Sequence, residues 1–333
     1  MATEPLLRVT DRGLYCARGD FYIDPWKPVE RAVITHGHAD HARPGSAHYF
    51  SAETGARILR HRLADPDLST HDYGQRFRLG EVSVSFHPAG HVLGSAQVRV
   101  ESDGEVWVAS GDYKRTEDPT CTPFEVVECD VFITEATFAL PVYQWRPGEL
   151  VAREILDWWD SNVRRKRASV LLCYALGKAQ RVLGELAELT DRPVFLHGAI
   201  ASLVDVYREA GVHMLPSLRV DTRAKGKSYA GELILAPPSA AGSTWLRRFG
   251  DYELGFASGW MRLRGARRRR GYDRGFVLSD HADWPGLIDT TRRCKAKRVL
   301  ATHGYSDAIV RFLREQGIDA DALETAFEGE TDA

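Results

Sequence analysis

The sequence has no Cys-x-x-Cys pair, and its five cysteines, Cys16, Cys121, Cys129, Cys173 and Cys294, form an odd and scattered set. That pattern excludes a disulfide framework and a sulfur-rich zinc site, and it suits free thiols in a reducing compartment. No apolar run approaches the ~18 residues that a membrane span requires. Met1 to Asp11 also lacks the charged-then-apolar order of a secretory signal. The expected location is therefore cytoplasmic, with no membrane partner. Charge of one sign is scarce too, since 44 Lys and Arg against 46 Asp and Glu leave a net charge of -2. A surface that attracts polyanions everywhere is thereby excluded, and any nucleic-acid contact must come from a local patch. There is no internal repeat, and the one compositionally biased tract is Arg267-Arg268-Arg269-Arg270.

What is present is a chain of 333 residues, 44% of them hydrophobic, enough for one large or two ordinary domains with a real core. The first 140 or so residues read as short strands with turns, over Leu14 to Ile23, Ala32 to Thr35, Val82 to Phe86, Gln97 to Glu101, Val106 to Ala109 and Val131 to Thr134. Period-two alternation is clearest in Val82-Ser-Val-Ser-Phe86. One helix is expected near Ala52 to His61. After Pro147-Gly148 helix and strand alternate, with helices over Glu149 to Val163, Lys178 to Glu188 and Ala201 to Glu209. Strands fall at Ser169 to Tyr174, Val194 to Leu196, Glu232 to Ala236 and Tyr252 to Ser258, a pattern that predicts a parallel sheet with crossover helices. Short strands that end in histidine-bearing loops return at Gly275 to Leu278 and Arg298 to Ala301, before a final helix from about Asp307 to Gln316. The simplest organisation is one domain, 1-145 and 273-333, interrupted by a second, 146-272.

One device recurs along the chain: an apolar strand stops and a metal-ligand residue follows. The densest case is Thr35-His36-Gly37-His38-Ala39-Asp40-His41, directly after Ala-Val-Ile. A histidine-rich tract is usually a solvated loop, but this one is short, follows a buried-looking strand and includes a carboxylate. Side-chain alternation lets His36 and His38 face one way while Asp40 and His41 reach a second position. The device repeats at His91, Asp112, Glu135, His281 and His303, so that six of the 12 histidines sit at strand ends beside an acid or a glycine. Each alone would be read as a structural histidine; together they form an inventory for two divalent ions. His36, His38 and His91 can hold one ion and Asp40, His41 and His303 the other, with Asp112 as the bridge. Mixed nitrogen and carboxylate donors suit zinc or manganese. Asp24, just before the first block, either orients a ligand histidine or caps a turn.

The set His36-x-His38-x-Asp40-His41, His91 and Asp112 resembles the metallo-β-lactamase superfamily, whose α/β fold is an αββα sandwich with metals at the edge of its two sheets. Glu135 in Thr-Glu-Ala-Thr, His281 in Ser-Asp-His-Ala-Asp and His303 in Thr-His-Gly resemble the three added motifs of the β-CASP nucleases, which carry an inserted α/β cap. The resemblance implies that His36, His38, His91 and Asp112 ligate one metal, that Asp40, His41, Asp112 and His303 ligate the second, and that Glu135 and His281 form a catalytic pair. Asp40 and Asp112 then count as catalytic as well as ligating. The Ser279 to Trp284 segment and Gly259-Trp260 look most like the bacterial ligase-associated DNA exonucleases, relatives of Artemis. That likeness implies exonucleolytic DNA hydrolysis in repair, directed to 5' ends with a single-strand preference, and a DNA ligase or helicase as partner. His303, however, stands where eukaryotic DNA-directed members carry valine and RNA-processing members carry histidine. An RNA-processing β-CASP nuclease is thus the main rival.

Two segments suggest substrate contact. Gly177-Lys178 opens a helix after a strand, where free amides and the helix dipole attract a phosphate and Lys178 adds charge; an ordinary strand-to-helix turn fits equally well. Arg267 to Arg270 form a cationic loop shortly before His281 that could hold a nucleic-acid backbone, with Trp260 and Tyr272 available to stack on bases. A small-molecule metallo-β-lactamase-type hydrolase would need neither that loop nor Glu135 with His281. A noncatalytic scaffold would not need the complete ligand set.

Overall fold

The computed structural model describes residues 4–220, 226, 228–263 and 271–326. The chain forms two compact units: residues 4–117, 121–144 and 281–326 make the first, and 118–120 with 145–280 the second.

The first unit begins with β1 (Arg8–Thr10), β2 (Gly13–Cys16), β3 (Phe21–Ile23), β4 (Arg31–Val33), β5 (His48–Ala52) and β6 (Leu68–His71), which pair in chain order as one sheet. The run Leu14 to Ile23, expected as one strand, is a hairpin whose turn includes Asp20 at φ 50°. Helix α1 (Ala56–Leu63) ends where Ala64 turns left-handed at φ 55°. Then come β7 (Phe77–Leu79), β8 (Val82–Pro88), β9 (Ala96–Ser102), β10 (Glu105–Ala109) and β11 (Val131–Ala136).

The second unit is a six-stranded parallel sheet with crossover helices, as the alternation of helix and strand predicts. It runs α2 (Gly148–Arg164), β12 (Ala168–Leu172), α3 (Lys178–Ala187), β13 (Val194–Leu196), α4 (Gly198–Glu209), β14 (Ser217–Arg219), β15 (Leu233–Ala236), β16 (Tyr252–Ala257) and β17 (Arg274–Phe276). The spatial order is β14-β13-β15-β12-β16-β17. Arg274–Phe276 pairs parallel with β16, so this unit extends to Asp280 rather than ending at the expected residue 272.

The chain re-enters the first unit through α5 (Trp284–Arg293), β18 (Arg298–Gly304), α6 (Ser306–Glu315) and β19 (Asp319–Ala322). Its second sheet has the order β19-β18-β11-β10-β9-β8-β7. The layering follows from which side chains share a core. Leu14, Phe21 and Val33 of the first sheet pack with Val84, Phe86, Val98, Val100 and Ile133 of the second. On the outer face of the first sheet, Ala32 and Tyr49 meet Leu59 and Leu63 of α1. On the outer face of the second, Val108, Phe132 and Val299 meet Leu287 of α5 and Ile309 and Leu313 of α6. The result is an αββα sandwich, with the second, α/β unit inserted in the chain between β11 and α5. None of the five cysteines forms a disulfide. No helix of the described residues is long and apolar enough to cross a membrane.

Candidate metal centre

The ligand residues of the first unit lie where strands of both sheets end. His36, His38, Asp40 and His41 follow β4, and a helical turn with Ala42 N donating to the His38 carbonyl at 2.8 Å reverses the chain there. His91 follows β8 after Gly90, which sits at φ 71°; a Cβ at that position would come within 2.7 Å of the Lys114 carbonyl oxygen, so no other residue fits. Asp112 follows β10 after Gly111. Glu135 lies inside β11, at a register shift between Thr134 and Ala136 against β18. Such an irregularity re-aims one side chain without ending the strand. His303 is carried by β18, and His281 sits just ahead of α5, whose start Asp283 caps by accepting from Gly286 N at 2.9 Å.

These residues converge. His38 Nδ1 is 3.0 Å from both His36 Nε2 and His91 Nε2. Asp112 Oδ2 lies 3.6 Å from His36, 3.8 Å from His91 and 3.5 Å from His41 Nε2. Its Oδ1 is 3.3 Å from His303 Nε2, and Asp40 Oδ2 is 3.5 Å from His41 Nε2. Three imidazole nitrogens and a carboxylate whose donor atoms all lie within 4.8 Å of one another match what a divalent cation takes. Asp112, Glu135 and His281 form a second such group.

Hydrogen bonds behind the ligands set their tautomers. Thr35 Oγ1 lies 2.5 Å from Asp24 Oδ2, which can only accept, so the hydroxyl donates there and accepts from His36 Nδ1 at 3.0 Å. Thr302 Oγ1 likewise donates to the Thr134 carbonyl at 3.3 Å and accepts from His303 Nδ1 at 2.9 Å. Both histidines then aim an Nε2 lone pair at the cluster. Asp24, held at φ 44°, also accepts from Thr35 N and from His41 Nδ1, each at 2.7 Å. It orients His41 and, through Thr35, His36. Both threonines precede their histidines in the sequence, and that Thr-His repetition was the available signal for them. Replacing Asp24 by Asn should lower metal affinity or activity by about 10–100-fold, measured by titration of the metal-depleted protein.

The buried charges fix a pH dependence. Burial opposes charge on His41, but Asp112 and Asp24 outweigh it and raise its pKa well above the usual imidazole value. Burial, with the charge on His41, pushes His36 well below that value. Burial also favours a neutral Asp112, yet His41 and His303 hold its carboxyl well below the ordinary range. Metal-free protein therefore keeps a proton on His41 Nε2 to higher pH than an ordinary imidazole does, and a cation must expel it. Apparent metal affinity should rise by about tenfold per pH unit up to the raised His41 value, with proton release seen calorimetrically in buffers of different ionisation heat. The stability that this raised value gives the metal-free fold runs the other way, complete at low pH and lost as pH climbs through it.

Glu135 and His281 form a buried pair. His281 Nδ1 is 2.8 Å from Glu135 Oε2, and Tyr113 N donates to Oε1 at 2.7 Å. The expected phosphate role of Lys178 is corrected: its side chain is wholly buried, with Nζ 3.3 Å from Asp280 Oδ2 and over the Tyr174 ring. Arg267 to Arg270 lie outside the described residues. Trp260 and Tyr272 pack partly buried against the core of the second unit.

No family model matches the chain. A probable DNA ligase of Opitutus terrae is 31% identical over 315 residues, 93% of this chain and 30% of that protein. An RNase J-like protein of Methanocaldococcus jannaschii is 25% identical over 211 residues, 54% of this chain and 50% of its own length. These relatives support the metallo-β-lactamase and β-CASP family. The match spans 30% and 50% of the lengths of these two curated relatives. A solved structure from Enterococcus faecalis, of a protein of unknown function, aligns at a TM-score of 0.60 over 90% of this chain and 80% of its own, with 13% identity. That likeness concerns the fold alone.

Proposed function

We propose that the chain is a metal-dependent nuclease that hydrolyses phosphodiester bonds of DNA, acting as an exonuclease on 5' ends of single strands. The observation that carries the reading is the buried cluster of His36, His38, His91 and Asp112 beside the Glu135–His281 pair, all within one unit. His36, His38, His91 and Asp112 would hold one ion, and Asp40, His41, Asp112 and His303 a second. Two divalent ions, zinc or manganese, would supply Lewis acidity toward water and the phosphoryl oxygens. The protein groups do the rest. Glu135 accepts from His281 Nδ1, so that when the ring is an imidazolium its Nε2–H faces away to donate to a nonbridging oxygen or to pass that proton to the leaving oxygen. Asp24, Thr35 and Thr302 hold the ligands so that little reorganisation accompanies the reaction.

DNA is favoured over RNA because the relative named for DNA ligation aligns along 93% of this chain, against 54% for the RNase J-like protein. The same alignment supports a DNA ligase as partner, the nuclease trimming ends that the ligase joins; a helicase partner rests on the family resemblance alone. RNA processing remains the second reading, carried by His303 and by the RNase J-like relative. Purified protein incubated with end-labelled single-stranded DNA, duplex DNA and RNA of one sequence, with Mn²⁺, with Zn²⁺ and with chelator, separates the two. Mononucleotides released from 5' ends of DNA are the expected result, and preferential cleavage of RNA overturns the DNA assignment.

A further inference from the structure

Helix α3 begins where Gly177 takes a φ of 87° and its amide donates to Gln180 Oε1 at 2.7 Å. That start places Lys178 and Arg181 three residues apart, on one face of the first turn. Both side chains are buried among three carboxylates of the same unit. Lys178 Nζ is 3.3 Å from Asp280 Oδ2. Arg181 Nη1 donates to the Ser279 carbonyl at 2.6 Å and lies 3.5 Å from Asp280 Oδ1. Its Nε is 3.4 Å from Glu185 and 3.8 Å from Asp118.

Charges buried this way are a poor route to stability, because desolvation consumes most of the Coulombic gain and well-packed apolar residues often do as well. What the cluster does provide is a single backbone arrangement for Ser279 and Asp280, and the residue that follows is His281. On the C-terminal side, the Asp283 cap pins the chain two residues later. The ring itself is held by Glu135.

We infer that Lys178 and Arg181 are positioning residues for His281, holding the carboxylate and carbonyl of the two residues before it so that the imidazole meets the scissile phosphate in one orientation. The inference rests on the nuclease reading, in which His281 touches the substrate. Misplacing a reacting group by about 1 Å costs on the order of 100-fold in rate.

The test is steady-state cleavage of an end-labelled DNA strand at saturating Mn²⁺ by Lys178→Met, Arg181→Met and Lys178→Arg, each made in the native and in the His281→Ala background. Lys178→Met and Arg181→Met should lower kcat by about 10–100-fold with KM and metal content unchanged, Lys178→Arg should recover most of the loss, and none should slow His281→Ala further. Equal losses in both backgrounds, or full activity of the methionine variants, overturn the inference. If a single variant does not fold, Lys178→Met with Asp280→Leu removes both charges, and the same two comparisons decide. Native protein that cleaves neither DNA nor RNA refutes the nuclease reading instead. The clamp is then read from the His281 Nδ1–H resonance: faster solvent exchange in Arg181→Met supports it, and unchanged exchange refutes it.

Discussion

Asp112→Ala should lower metal-dependent cleavage by at least about 10³-fold in a protein expected to keep its far-ultraviolet circular dichroism and a cooperative melt. The expected size follows from where the carboxylate sits. Its Oδ2 lies within 3.8 Å of His36, His41 and His91, while Oδ1 lies 3.3 Å from His303, so it is the group that touches both sets of ligands. Without it, neither set of ligands has its shared anion. The Lewis acidity that a bound divalent ion would supply, bringing the pKa of water down toward neutrality, would then be lost. The fold should survive because the sandwich core is made elsewhere, by the apolar faces of the two sheets and of α1, α5 and α6. Full activity in Asp112→Ala would remove the basis for the ligand assignment, and a collapse of the melt would show Asp112 to be chiefly structural.

Much of this centre was legible in the sequence, for a physical reason. A ligand that must be rigid is best placed where a strand ends, and an apolar run followed by His, Asp or Glu shows that in one dimension. Glu135 was legible as a residue but not as a geometry, since the irregular pairing that aims it depends on β18, more than 160 residues later. The hydroxyls of Thr35 and Thr302 were overlooked because threonine beside histidine is unremarkable until the hydrogen-bond direction is known. Lys178 was misread for a related reason. A glycine and a lysine at a helix start suggest a phosphate, and only the return of the chain at Ser279-Asp280 reveals the carboxylate that takes the charge. Helix α5 had its signals in Asp283, Pro285 and Gly286, yet is absent from the expected elements because those residues also punctuate a loop. The boundary near 272 failed similarly: Arg274–Phe276 is too short to declare its sheet, and its pairing with β16 decides it.

His281→Ala should lower kcat by about 10²–10⁴-fold, the range for losing a positioned proton donor, while the protein retains its metal. The two halves of that expectation separate two roles. His281 belongs to the pair with Glu135, yet Asp112, Glu135 and His281 also have ligand atoms within 4.8 Å of one another. The hydrogen bonding favours the pair. Glu135 Oε1 is taken by Tyr113 N and Oε2 by His281 Nδ1, so the carboxylate is occupied by donors. Glu135→Gln then provides an internal check. An amide presents one oxygen and one NH₂ where two N–H groups now point, so one contact is lost and His281 loses its fixed tautomer. The rate should fall in Glu135→Gln as well, by less than in His281→Ala, and the two changes combined should cost little more than His281→Ala alone. Metal content measured alongside is decisive, because a His281→Ala protein that sheds an ion would make the imidazole a ligand rather than the group that handles the proton.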